Sequence, residues 1–303
     1  MGFGHNHEQE HHSHSQTSNK KLLSIALFIT VTFMIAEIIG GIIANSLALI
    51  SDAGHMFSDA FSLALSLIAM RLAARPASAK RTFGFYRFEI LAAFVNGVTL
   101  AVISLIIFYE AYRRILEPPM VQSGMMIVIA VLGLLANLGS AGILMKGDTK
   151  GNLNLRSAFL HVLGDMLGSV GAIVAGILIL LFDWYMADPI ISIIVGALVL
   201  ISGWRVTKES VHVLIEGTPG HINVNELNQQ LHTVDGVQGI HDLHVWTITS
   251  GLESLSCHIV VAPTKNAQEI LLACKHMIQE RFGINHVTLQ LETEELKRLE
   301  PSI

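Results

Sequence analysis

Charge is scarce in this chain. Asp, Glu, Lys and Arg together make up 14% of its 303 residues, where a soluble domain carries roughly a quarter. That shortage argues against an ordinary soluble protein. A net charge of −5 with no basic block argues against a nucleic-acid partner. Cysteine is scarcer still: Cys257 and Cys274 are the only two, too far apart for a CxxC pair and too few for a disulfide framework. No HExxH occurs, which removes the usual helix-borne zinc hydrolase signature. Met1–Asn19 is polar and the first apolar run is too long for a signal-peptide core, so no secretory leader is expected.

What is abundant is apolar side chain, 51% of the sequence. Runs at 22–44, 47–70, 88–109, 122–145, 154–182 and 187–206 are each long enough to cross about 30 Å of hydrocarbon at 1.5 Å per residue. The sequence thus predicts an α-helical membrane protein with six transmembrane helices. Lys and Arg decide the orientation. Lys20, Lys21, Arg71, Arg75, Lys80, Arg81, Arg87, Lys146, Lys150, Arg156, Arg205 and Lys208 flank one side, and only Arg113 and Arg114 flank the other. Twelve against two places both termini in the cytoplasm, in the cell's inner (plasma) membrane.

Three segments follow from composition: a His-rich tail at 1–20 expected to be disordered, a membrane domain at 21–209, and a cytoplasmic domain at 210–303. In the last, 223–234 reads as a helix, 241–249 and 252–262 as strands around Ser250-Gly251, 267–282 as a helix and 287–291 as a third strand. The order αββαβ suits a small open α+β sandwich.

Four ionisable residues lie where water is absent. His55 and Asp59 in span two, and His161 and Asp165 in span five, are each spaced i, i+4, so each pair shares one helix face. Counted from the span ends, both pairs lie roughly 12–18 Å deep in a core of about 30 Å. Two pairs on antiparallel helices therefore meet at one level. Polar groups at such depth are costly and mark ion or proton pathways more often than helix packing. Two imidazoles and two carboxylates suit a closed tetrahedral Zn²⁺ site; the oxygens argue against Cu(I), and the histidines against Mg²⁺ or Ca²⁺. Four protein ligands leave no open position for an activated water, which argues against an enzyme. Asp52, one turn outward, reads equally well as lining an exit path or as capping the start of span two near Asn45 and Ser46. Glu37 and Asn96 read as buried packing contacts.

The motifs SDAGHMFSD (51–59), HVLGD (161–165) and HDLHVW (241–246) together resemble the cation diffusion facilitator family, in its bacterial zinc-exporting branch. The resemblance covers all but the amino tail. It implies a homodimer, a ferredoxin-like cytoplasmic domain and alternating access driven by proton antiport, with Zn²⁺ and H⁺ as the transported ions and Cd²⁺ or Co²⁺ as further substrates. It also assigns His55, Asp59, His161 and Asp165 to the transport site. Arg87 and Glu216 occupy positions that form a hinge pair in some members. The loop RPASAKRTFGFYRFE lacks the His and Asp of a second site found in others, so no such site is expected here.

In the second cytoplasmic strand Leu255, Cys257, Ile259 and Val261 share the core face, which turns His258 to the other side. In the third, Val287, Leu289 and Leu291 face the core, while His286, Gln290 and Glu292 share the opposite side. His241, His258 and Glu292 match ligand positions of the family, implying a regulatory Zn²⁺ held by two imidazoles and a carboxylate. His244 and His286 are weaker candidates, and His212, His221, His232 and His276 read as surface residues. The tail histidines His5, His7, His11, His12 and His14 suit weak metal capture.

Overall fold

The computed structural model describes residues 28–57, 60–61, 77–145 and 153–297, and only the backbone at 140, 143–145, 153–165 and 296–297. Asp59 and the tail histidines lie outside the described residues. The chain divides into two compact units, 1–64 with 96–205, and 65–95 with 206–303.

In the first unit the helices are α1 (28–44), α2 (47–57 and again 60–61), α3 (Arg87–Leu116), α4 (Ser123–Met145), α5 (Leu153–Phe182) and α6 (Ala187–Leu214), with α3 and α6 running on into the second unit. Their side chains are arranged inside out. Large aliphatics such as Ile39, Ile42, Leu105, Leu135, Leu181 and Leu198 are exposed, whereas Ala44, Ala48, Ala130, Ala172 and Ala175 are buried. Buried with them are polar groups: Glu37, Ser51, Asp52, Asn137, Ser169 and Asp188. Small residues let helices approach closely, and an apolar exterior is stable only against lipid. Among the described residues α3 and α6 are long and apolar enough to span a membrane, and the apolar stretches 28–44, 123–139 and 166–182 are shorter.

Helix ends follow local chemistry. α1 stops at Asn45, whose φ of +54° is left-handed, and the Ser46 amide bonds back to the Gly41 carbonyl at 2.9 Å. α3 outlasts its apolar run and reaches Leu116, because Glu110 and Arg114 pair at i, i+4 (3.2 Å) and no breaker occurs before Pro118. α6 likewise continues past the expected 206 to Leu214, through a stretch with no Gly or Pro to break it before Gly217.

The second unit carries the small α+β domain. It comprises α7 (Val224–His232), β1 (Val237–Thr249), β2 (Leu252–Val261), α8 (Ala267–Phe282), β3 (His286–Glu292) and α9 (Glu294–Lys297), with the sheet ordered β1-β2-β3. Asn223 and Asn266 cap α7 and α8 through their side-chain oxygens. Gly251 (φ +74°) makes the tight turn joining antiparallel β1 and β2, while β3 pairs parallel to β2 after the α8 crossover. Leu227 and Leu231 of α7 and Ile270, Cys274 and Ile278 of α8 bury against Leu255, Cys257 and Ile259 on one sheet face. The other face carries His241, His258, Gln290 and Glu292. β1 begins four residues before the expected His241, because Val237 and Gly239 still pair with Val261 and Val260.

Candidate metal centre

The sheet face turned away from α7 and α8 gathers the three cytoplasmic ligands expected from sequence. His241 and His258 are direct cross-strand partners, so their rings share a face, with centroids 5.1 Å apart. His258 is level with Gln290 of β3, and Glu292 lies two residues further along the same face. The ligand atoms of His241, His258 and Glu292 all lie within 4.8 Å of one another. The Glu292 carboxylate is fully buried; His241 Nε2 lies 3.0 Å from its Oε2, His258 Nδ1 lies 2.6 Å from its Oε1, and Gln290 Nε2 donates to Oε1 at 2.8 Å. Burial pushes Glu292 up, but the hydrogen bonds from His241 and Gln290 and the nearby imidazoles outweigh it, holding the carboxyl below its ordinary value. Two nitrogens and one ionised oxygen converging on one point fit a Zn²⁺ ion with a fourth position left for water or another ligand.

A β-bulge sets the neighbouring residues. Between His241 and His244 β1 advances three residues while β2 advances two, and Asp242 takes φ +53°. The extra residue turns His244 to the same face as His241 and Leu243 towards the core. His244 Nε2 contacts Asp242 Oδ1 at 2.9 Å, and Asp242 Oδ2 lies 3.8 Å from His258 Nε2. That hydrogen bond from His244 holds the Asp242 carboxyl low. Asp242 was not singled out from sequence, because alternation alone points it away from the ligands. His286 instead stacks edge-on to Phe83. His212 and His232 contact the backbone carbonyls of Thr218 and Asn228, and His221 is exposed beside Glu253. Cys257 is no ligand: it faces the core, and burial pushes its thiol up to about 12.

In the same unit, the Arg87 and Glu216 side chains pair at 2.8 Å, both substantially exposed. Thr249 and Ser250, at the β1–β2 turn, donate to the Glu89 carboxylate at 2.5 and 3.0 Å.

Within the helical unit, His55 is half-buried on α2, and the side chains of Asp59, His161 and Asp165 lie outside the described residues. Asp52 is not the cap of α2. That role falls to Ser46 and to Asp188 of α6, a residue missed from sequence. Asp188 is wholly buried and accepts from Ser46 Oγ (2.6 Å), the Leu47 amide (2.8 Å) and the Ala48 amide (3.1 Å). Arg114 lies 3.6 Å from it, and donates to the Asn45 carbonyl at 2.7 Å. The available signal was an acid at the head of span six facing the only two basic residues of that side. Asp52 instead turns to α5, where Ser169 Oγ donates to its Oδ2 at 3.2 Å.

Residues 23–215 match the family described as the cation efflux transmembrane domain, and residues 219–294 match the cation efflux protein cytoplasmic domain. A cadmium, cobalt and zinc/H(+)-K(+) antiporter of Bacillus velezensis is 52% identical over 96% of this chain and 92% of its own. The metal cation efflux system protein CzcD of Cupriavidus metallidurans is 44% identical over 96% and 90%. The zinc transporter ZitB of Pectobacterium atrosepticum is 43% identical over 93% and 88%. With an apolar-faced helical unit, a small α+β domain and matches along nearly its whole length, the chain belongs to the cation efflux family of membrane-integral transporters.

Proposed function

We propose that this protein exports Zn²⁺ from the cytoplasm in exchange for protons by alternating access, and accepts Cd²⁺ or Co²⁺ as well. Six helices cross the bacterial plasma membrane with both termini in the cytoplasm, and two copies pair through the ferredoxin-like domains. His55, Asp59, His161 and Asp165 hold the transported ion at the midplane. His241, His258 and Glu292 bind a second, regulatory Zn²⁺.

The observation that carries the metal reading is the convergence of His241, His258 and Glu292 from three strands on one carboxylate. The transport reading is supported by the i, i+4 pairs in spans two and five and by the substrates named for the relatives. Zn²⁺ requires neutral imidazoles and ionised carboxylates, so metal and protons compete for one set of side chains. An ordinary imidazole titrates near pH 6.5, so modest acidity on the outer side helps to eject the ion.

The test is Zn²⁺ flux with simultaneous lumenal pH recording in proteoliposomes. Flux should follow an imposed pH gradient and move protons oppositely, and Asp165→Ala should abolish it while the protein stays folded. Flux that ignores the gradient removes the antiport, and undiminished flux from Asp165→Ala removes the site.

A further inference from the structure

A carboxylate can give a metal ion one oxygen or two, whereas an imidazole gives it a single nitrogen. The coordination number at the sheet face therefore turns on Glu292. Its side chain is fully buried, so its neighbours rather than water decide what each oxygen does. The two oxygens differ. Oε2 lies 3.0 Å from His241 Nε2, while Oε1 accepts from Gln290 Nε2 at 2.8 Å and lies 2.6 Å from His258 Nδ1. The strand sets this up, because Gln290 and Glu292 are i, i+2 on β3 and share a face, with Gln290 level with His258. An ionised carboxylate has no proton to give, so the amide turns its NH₂ group to it. Of these three neighbours, Gln290 alone is neither titratable nor one of the usual zinc ligands, so its donor is the same with or without a metal ion.

We propose that Gln290 is a positioning residue that sets the metal preference of the cytoplasmic site. By engaging Oε1 it leaves Glu292 to present Oε2 alone, which favours four-coordinate Zn²⁺ over the larger Cd²⁺. This rests on the metal reading above. An imidazole that ligates turns a lone pair to the ion and no longer offers a proton at that nitrogen. The contacts of His241 and His258 with the carboxylate are therefore the ones given up as the site fills. The Gln290 bond is the one that persists. It anchors the carboxylate, as outer-shell partners of ligating groups generally do. A tetrahedral ion held by two imidazoles and one oxygen keeps a fourth position. A second oxygen from Glu292 suits a larger ion with a higher coordination number, and supplying it costs the hydrogen bond from Gln290.

The test titrates Zn²⁺ and Cd²⁺ by calorimetry into the metal-stripped full-length chain in detergent. His241→Ala, titrated alongside, identifies the part of each isotherm that belongs to the sheet face. Gln290→Met keeps the side chain's length and removes its donor. It should weaken Zn²⁺ binding about tenfold, the low end for an outer-shell partner, and leave Cd²⁺ within roughly threefold of the native value. Gln290→Lys restores a donor; its charge weakens both metals, but the native ratio of the two affinities should return. Co²⁺ gives an independent reading. Its visible absorption is intense when four-coordinate, and should weaken in Gln290→Met and recover in Gln290→Lys. An unmoved ratio in Gln290→Met, or a Gln290→Lys ratio altered as much as that of Gln290→Met, overturns the role of Gln290 and leaves the site standing. Native isotherms that match those of His241→Ala remove the sheet-face site, and the metal reading with it.

Discussion

Asp188→Ala should be among the most damaging single substitutions outside the metal sites. In the native protein this buried carboxylate accepts from Ser46 Oγ and from the Leu47 and Ala48 amides, and those two residues are themselves only 3% and 1% exposed. Truncation leaves both amides at the start of α2 without their acceptor and without access to water. Each buried donor left unsatisfied costs about 1–3 kcal/mol. Arg114 is not orphaned, since Glu110 and Asn45 still hold it. Ser46 Oγ still accepts from the Leu49 amide. The two lost amide bonds therefore dominate, giving about 4 kcal/mol, within the ~3–5 kcal/mol typical of breaking a buried charged contact. Asp188→Asn keeps one acceptor oxygen and should lose about half as much. At roughly 2–4 °C per kcal/mol for a unit of this size, the alanine variant should melt about 10 °C lower. Thermal unfolding of the purified protein in detergent, followed by circular dichroism, measures this. A loss below about 1 kcal/mol, or equal losses for Asn and Ala, would refute the claim that the carboxylate serves as the cap of α2.

Four shorter expectations accompany it. His258→Ala or His241→Ala should weaken Zn²⁺ binding to the cytoplasmic domain by more than the roughly 10–100-fold of an outer-shell change; superimposable calorimetric titrations would exclude these ligands. Glu292 is held below its ordinary carboxyl value of 4.5, so its share of metal-free stability is present above that pH and is lost as pH falls through the lowered value; denaturant titrations of Glu292→Gln should show a weaker acid limb. Burial raises the Cys257 and Cys274 thiols from 9.0 to about 12 and about 11, so both resist iodoacetamide at pH 8 and add stability that fades as pH climbs above 9.0; rapid alkylation of the native protein would contradict this. Arg87→Ala removes a pair exposed at both ends and should cost no more than about 1 kcal/mol, checked by the same melting assay.

The local parts of the fold were legible wherever one face is buried. In β2 and β3 alternation separates Leu255, Cys257 and Ile259 from His258, and Leu289 and Leu291 from Gln290 and Glu292, because a period of two has only one register that buries the aliphatic set. The turn at Gly251 and the helix Ala267–Phe282 were equally plain. What stayed hidden depends on distant partners or on an added residue. The bulge at Asp242 breaks the alternation that would otherwise put His244 on the core side. Asp188 caps a helix about 140 positions earlier in sequence, which no local pattern reports. The two readings of Asp52 could be separated only by finding Ser46 and Asp188 already in the capping role and Ser169 across from the carboxylate. The ends of α3 and α6 were missed because an apolar run marks the lipid boundary, whereas a helix ends at a breaker.

The topology of the small sheet has a kinetic consequence. β1 and β2 meet through a two-residue turn, so His241 and His258 come together as soon as the hairpin forms. β3 joins only after α8 has folded across, and Glu292 lies 34 positions beyond His258 (292 − 258). The imidazoles are thus assembled early, and the carboxylate arrives last. A hairpin alone offers the two imidazoles without the Glu292 carboxylate. On the proposed metal reading, the three-ligand set is complete only when the parallel strand is seated, so Zn²⁺ capture by a chain still leaving the ribosome should await its last strand.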